Sequence, residues 1–172
     1  RFELASEVSF SIILPTRNRA YCIERALRSI LSQSHENFEL IIVDDHSTDN
    51  TFELVHSKFH DQILDGKFRY IKLESNLGVC AARNIGIAYS RNPWIAYVDS
   101  DNEVRPYMLS MFANTIVQHP NADAFYSKVF NHNAGVEIGS PFDHAKLVSQ
   151  NFIDLGAYVH AKSLVHKYGA FD

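Results

Sequence analysis

The sequence is poor in cysteine: Cys22 and Cys80 are all it has. Two thiols far apart exclude a disulfide framework and suit a reducing compartment. Both fall in segments that read as helices, where free, partly buried thiols are expected. No apolar run approaches the roughly 18 residues that crossing a bilayer takes, and no signal peptide is visible. The chain begins at Arg1 rather than Met, so a fragment is expected, with any membrane segments outside it. Positive charge is not in excess. With 16 Lys and Arg against 20 Asp and Glu, the net charge of -4 argues against nucleic acid or an anionic membrane as a general partner. No strand is followed by G-x-G-x-x-G or by a P-loop, which removes the dinucleotide fingerprint and the commonest triphosphate cradle. Nine histidines invite a search for metal ligands. His56 and His60 have i, i+4 spacing but lack the H-E-x-x-H context, and His160 and His166 read as packing or surface residues.

What is present is ordinary globular chemistry: 46% hydrophobic and 21% charged residues over 172 positions, enough for one sizeable core. A single domain spanning 1–172 is expected. In "FSIILPTRNR" the apolar run 10–14 reads as a buried strand stopped by Pro15. "AYCIERALRSILSQS" then places Ile23, Ala26, Leu27, Ile30 and Leu31 on one helical face. "FELIIVDDHSTDNT" repeats the scheme, with a strand over 38–43, an acidic turn, and a helix capped near Ser47 or Thr48. "KFRYIKLESNLG" carries a third strand, "GVCAARNIGIAYS" opens a helix at Gly78, and "WIAYVDSDN" is a fourth strand. A helix from about Pro106 follows, then a strand-like "ADAFYSKVF". Over 131–150 the pattern weakens into a long, partly ordered connection, and "DLGAYVHAKSLVHKYGAFD" reads as a short strand or turn followed by a helix. The alternation predicts an α/β fold, a Rossmann-like, mostly parallel sheet with helices on both faces.

In such sheets ligands bind at the carboxyl ends of the strands. Four successive strands here end in polar loops, "PTRNR", "DDHSTD", "ESNLG" and "DSDN", so one shared site is expected. Asp44 and Asp45 stand where a strand exits; one of the two is free to accept a hydrogen bond from a nucleobase N–H or a ribose hydroxyl, since Ser47, Thr48 and Asp49 already exceed what one helix cap needs. Gly78 permits close backbone approach, and the helix it opens offers N–H groups to an anion. Arg83, a little over one turn inside, has the reach for a phosphate or a nearby aspartate. Pro15, Thr16, Arg17 and Arg19 bring backbone and positive charge, with Asn18 read as a helix cap. Asp99, Ser100 and Asp101 end an apolar strand with two mutually repelling carboxylates, an arrangement that a hard divalent cation makes worthwhile.

Taken together, "SIILPTRNR", "ILSQSHENFELIIVDDHSTDNT", "NLGVCAARNIGI", "YVDSDN" and "YGAFD" resemble the inverting family 2 glycosyltransferases of GT-A fold, over nearly the whole chain. The resemblance implies that Pro15, Thr16 and Asp45 line a nucleoside pocket and that Arg83 lies toward the base or diphosphate. Asp99 and Asp101 stand in the family's D-x-D position, which holds Mn²⁺ or Mg²⁺ against the diphosphate. Many members carry a further Asp where this chain has Asn102, a neutral amide that still ligates or hydrogen-bonds. The resemblance further implies a nucleotide-sugar donor, UDP-sugar favoured, and a saccharide or lipid-linked saccharide acceptor attacked with inversion. It implies a cytoplasmic enzyme working at the inner face of the cell membrane. The family's general base lies a little beyond the Gly-x-Phe-Asp segment, past Asp172; Asp143, Asp154 and His160 earn no such role merely by being present. A sugar nucleotidyltransferase would need a glycine-rich loop after the first strand, which "PTRNR" is not. A catalytically inert donor-binding or scaffolding domain is the reading of a different class, left open by Asn102 and the unassigned base.

Overall fold

The computed structural model describes residues 2–131, 134–150 and 152–172. The chain runs α1 (Phe2–Glu7), β1 (Phe10–Thr16), α2 (Ile23–Leu31), β2 (Phe38–Asp44), α3 (Thr51–Lys58), α4 (His60–Leu64), β3 (Phe68–Lys72), α5 (Val79–Tyr89) and β4 (Trp94–Tyr97). It continues with α6 (Met108–Gln118), β5 (Ala124–Tyr126), β6 (Val129–Asn131), β7 (Val136–Ile138), α7 (His144–Ser149), a 3₁₀ turn (Leu155–Ala157), β8 (Tyr158–Ala161) and α8 (Ser163–Tyr168). The main sheet has the order β3-β2-β1-β4-β8-β5, parallel among the first four strands and antiparallel at β8 and β5. β6 and β7 form a separate antiparallel pair.

Strands buried on both faces explain the continuous apolar runs. Every residue of β1 and β2 is buried. Because side chains alternate, Phe10, Ile12, Leu14, Phe38, Leu40 and Ile42 face one layer with Ile23, Leu27, Ile30, Val55, Leu109 and Phe112. Ile13, Ile41 and Val43 face the other layer, where α5 contributes Ala82 and Ile87. Two of the polar exceptions pair with each other: the Ser11 hydroxyl donates to Glu39 at 2.7 Å, and Glu39 and Ser11 receive the Arg91 and Asn92 amides. Helices therefore cover both faces, as expected.

Several boundaries differ for identifiable reasons. Pro15 does not stop β1; the strand runs through it to Thr16, in register with Val43 and Asp44. Ile13 already accepts from Val98 on the β4 side while Thr16 accepts from Asp45 on the β2 side. Pro15 thus turns its hydrogen-less nitrogen to the β4 side, beyond the last β4 pairing at Tyr97, and costs no ladder bond. Helix α2 begins after Cys22, and Leu31 is half-exposed rather than core. The helix after β2 starts at Thr51, with Asn50 rather than Ser47 or Thr48 at the cap position, and breaks at Phe59 into α3 and α4. "ADAFYSKVF" divides between two sheets, and the 131–150 connection contains β7 and α7; its positions 132–133 lie outside the described residues. Both cysteines are free. Among the described residues no helix is long and apolar enough to cross a membrane.

α5 lies close on β1 because Gly86 has no side chain. A Cβ there would meet Ile13 Cγ2 at 2.5 Å and Cγ1 at 3.2 Å. Gly86→Ala is expected to cost about 1–3 kcal/mol by overpacking, seen as a lower urea midpoint at unchanged slope. An unchanged midpoint would show that α5 lifts from the sheet freely.

Candidate nucleotide-binding site

Because β1, β2, β3 and β4 are parallel, their carboxyl ends open on one side of the sheet. A cleft of about 560 Å³ lies there. Pro15, Thr16, Arg17 and Arg19 line it from the first loop, Asp45 from the second, and Asn76, Gly78 and Val79 from the third. Ala82 and Arg83 of α5, and Asp99, Ser100 and Asp101 after β4, complete it. The four polar strand ends thus open on one cleft, which brings together most of the candidate residues.

The acidic pair separates. Asp44 is fully buried, accepting the Ser47 amide at 2.7 Å on one oxygen and the Tyr70 hydroxyl at 2.5 Å on the other. Burial, and then this bond to a carboxylate, push the Tyr70 phenol far above its ordinary pKa, so Tyr70 stays a neutral donor. Asp44 therefore shapes the turn and does not line the cleft. Asp45 does, while its two oxygens accept the Leu77 amide at 2.6 Å and the Gly78 amide at 2.9 Å. Each oxygen keeps a lone pair for a further donor. Two amides ahead of α5 thus go to Asp45 rather than to a ligand, and Gly78, at φ 89°, makes the turn that aims them.

The surplus polar residues of "HSTDNT" hold the first loop. Ser47, Thr51 and Asp49 accept the backbone amides of Asn18, Arg19 and Ala20 in turn. In return Asn18, at φ 52°, accepts the Thr48 amide on its Oδ1 at 2.8 Å. It thus caps the turn before α3 instead of its own helix. Burial works against the Asp49 carboxylate, yet bonds from the Thr51 hydroxyl and from the Ala20 and Thr51 amides hold its pKa below the ordinary value. Between these stapled loops the Thr16 hydroxyl is buried with no hydrogen-bond partner among the described residues. A hydroxyl left so in an apolar setting costs free energy unless a ligand meets it.

At the other end, carboxylates and guanidinium groups interleave. Arg83 donates to Asp99 at 3.1 Å, and Arg19 stands 3.7 Å from Asp101. Arg25 reaches the Asp101 carbonyl at 3.2 Å and pairs with Glu103 at 2.8 Å. Ser100 is buried, while Asn102 is exposed beyond it. The cleft wall therefore carries Arg17, Arg19 and Arg83 against Asp45, Asp99 and Asp101, a formal balance. Among the described residues no group of three or more His, Cys, Asp or Glu could hold a metal ion by itself. Asp99 and Asp101, half-exposed and each beside an arginine, are oxygen ligands of the kind that a hard cation shared with phosphate oxygens takes. The residues present fit a cation on those terms.

Comparison with known proteins agrees with this geometry. The family model described as "Glycosyl transferase family 2" matches residues 11–155. The chain belongs to glycosyl transferase family 2. The putative teichuronic acid biosynthesis glycosyltransferase TuaG of Bacillus subtilis is 36% identical over 133 residues, covering 77% of this chain and 50% of its own. The putative colanic acid biosynthesis glycosyl transferase WcaA of Escherichia coli is 38% identical over 102 residues, 59% of this chain and 36% of its own. This family 2 chain thus spans half or less of these relatives. Its GT-A fold is shared with Staphylococcus aureus TarS 1-349 in complex with UDP, at TM-score 0.76 and 22% identity over 95% of this chain and 50% of that one. It is shared also with the mannosyltransferase PcManGT from Pyrobaculum calidifontis in complex with GDP-Man and Mn²⁺, at TM-score 0.72 and 20% identity, over 97% of this chain and 49% of that one.

The three proton acceptors left unassigned in this family 2 domain have structural work. Asp143 caps α7 through the Lys146 amide at 3.0 Å, and Asp154 caps the 3₁₀ turn through the Gly156 amide at 2.8 Å. His160 is buried on β8, with Nε2 2.8 Å from the Tyr97 hydroxyl. Sequence reasoning counted Arg19 with Arg17 as positive charge after the first strand but gave it no partner; the structure sets it 3.7 Å from Asp101. Tyr70 carried no signal, because an aromatic on a strand reads as packing.

Two outcomes are expected. Tyr70→Phe strands one buried Asp44 oxygen and should cost about 2 kcal/mol of stability, measured by urea unfolding, while nucleotide affinity stays unchanged. A loss of affinity instead would place Asp44 in the site. Burial outweighs the His160 bond to the Ala161 carbonyl and lowers its pKa from 6.5. The unfolded chain then takes up a proton before the folded one, so stability falls as pH drops through about 6.5 and below. Melting curves from pH 7.5 to 5 should fall more steeply for the wild type than for His160→Gln; parallel curves would remove the effect.

Proposed function

We propose that this family 2 domain binds the nucleotide-sugar donor of a glycosyltransferase, a UDP-sugar in preference, and serves transfer of the sugar with inversion to a hydroxyl of a saccharide or lipid-linked saccharide. The observation that carries the reading is the cleft with a hydrogen-bonding end and a charged end. Thr16, buried and unpartnered, and Asp45, with lone pairs to spare, face a nucleoside. Asp99 and Asp101 with Arg83 and Arg19 face a diphosphate. A carboxylate at Asp45 accepts from the N–H of a uracil ring, and the Thr16 hydroxyl gains in the ligand the partner it lacks in the protein. The UDP complex of TarS and the GDP-Man and Mn²⁺ complex of PcManGT, on the same fold, support a donor of this class.

Asp99 and Asp101 are the residues that would hold Mn²⁺ or Mg²⁺, with Asn102 beside them. When bound, the cation supplies positive charge to the departing diphosphate. Arg83 and Arg19 are already in place to take up diphosphate charge once their carboxylate partners turn to a cation. The acceptor oxygen bonds to the anomeric carbon as the bond to the diphosphate oxygen breaks, and its proton passes to a carboxylate. Asp143, Asp154 and His160 are otherwise engaged, and the family resemblance puts that carboxylate a little past the Gly-x-Phe-Asp segment. Relatives named for colanic acid and teichuronic acid biosynthesis make a polysaccharide or glycoconjugate the favoured product class. Work at the inner membrane face would then rest on regions outside this chain.

Calorimetry with UDP-, GDP- and dTDP-sugars, each with and without Mn²⁺, tests the reading. UDP-sugar is expected to bind, more tightly with Mn²⁺, and Asp101→Ala to lose the Mn²⁺ increment. No binding by any nucleotide ends the donor assignment. Binding that ignores Mn²⁺ and survives Asp101→Ala ends the cation assignment alone.

A further inference from the structure

α8 ends at Gly169, where φ of 94° turns the chain back toward α5. There the segment meets Asn84 in a two-point contact. Asn84 Nδ2 donates to the Phe171 carbonyl at 2.7 Å, and the Phe171 amide donates to Asn84 Oδ1 at 3.0 Å. One side-chain amide thus satisfies both backbone groups of a residue 87 positions away, as a neighbouring strand would. The reciprocal pattern also fixes which way the Asn84 amide points.

The latched residue bears on the donor site. The Phe171 ring packs edge-on against Tyr97 of β4, with centroids 5.6 Å apart at 86°. Its centroid lies 5.8 Å from the guanidinium carbon of Arg83. Arg83 neighbours Asn84 on α5, its terminal nitrogen reaches Asp99, and its Nε is buried without a partner. A long guanidinium side chain with one polar anchor keeps rotamer freedom unless something bulky confines it. The Phe171 ring is that confinement, and its place depends on the Asn84 latch.

We propose that Asn84 is a positioning residue for the donor site: by latching Phe171 to α5 it holds the ring that keeps Arg83 directed at Asp99 and the cleft. The role rests on the donor reading above. It differs from plain stabilisation because it acts through one ring on one guanidinium.

The test titrates the full chain with UDP and with GDP in the presence of Mn²⁺, and follows the Phe171 amide by hydrogen exchange. Asn84→Ala is expected to release that amide and to weaken nucleotide binding about tenfold, the scale on which groups that orient a ligand-binding side chain act. In a Phe171→Ala background the same change should have no further effect on affinity, since the ring it acts through is gone. Asn84→Asp keeps an acceptor for the Phe171 amide but no donor, and should fall between; it takes over if the alanine variant does not melt cooperatively. Undiminished affinity with a released Phe171 amide overturns the positioning role. So does an additive loss in the Phe171→Ala background, and so does an amide that exchanges as before. A wild-type chain that binds neither nucleotide overturns the donor reading and the role with it, while exchange at Phe171 still reports whether the latch exists.

Discussion

The molecule depends on the parallel register of β1 with both of its neighbours. Phe10 pairs with Phe38 on one side and with Trp94 on the other, so β1, β2 and β4 start level. They do not end level: β4 stops at Tyr97 while β1 and β2 run on to Thr16 and Asp44. That stagger leaves the last residues of β1 without a neighbour on the β4 side, and the cleft fills the notch. Both the tolerance for Pro15 and the isolation of the Thr16 hydroxyl follow from it. A longer β4 would need a ladder donor where Pro15 has none.

Around this notch the loops hold one another more than they hold themselves. Ser47, Asp49 and Thr51 of the second loop bind the amides of the first, and Asn18 answers. Asp45 of the second loop binds the amides of the third. Arg83 of α5 binds Asp99 of the fourth, and Arg19 of the first stands against Asp101. Short polar loops joined this way are rigid without a core of their own, and a ligand meets groups already oriented. The charge balance has a consequence too. A wall with arginines matched to aspartates has no net pull on a bare anion or a bare cation, and suits the two arriving together.

Much was legible in the residues alone. Apolar runs of strand length alternating with amphipathic helices specify a doubly covered parallel sheet, because only that arrangement buries strands on both faces. Polar strand ends then specify where a ligand meets it. The misplaced boundaries have a common cause. Pro15, Ser47 and Asn18 were each read by local propensity, as a strand stop, a cap and a cap, whereas Ser47 and Asn18 bond each other's loops far along the chain and Pro15 lies where β4 has already ended.

The sequence by itself therefore determined the layers, the alternation of the first four strands with helices, and the end of the sheet at which the polar loops gather. Those follow from hydrophobic period and chain connectivity, which are local properties. Residue types alone left open which of two adjacent aspartates faces the cleft; the resemblance named Asp45, and only the tertiary structure supplies the physical reason. Asp44 and Asp45 differ by one position on a strand end, and the pleat sends one inward to Tyr70 and the other to Leu77 and Gly78. The same holds for Asn84: nothing near it in the chain marks its bond to Phe171, because a contact between distant residues exists only once both elements are packed.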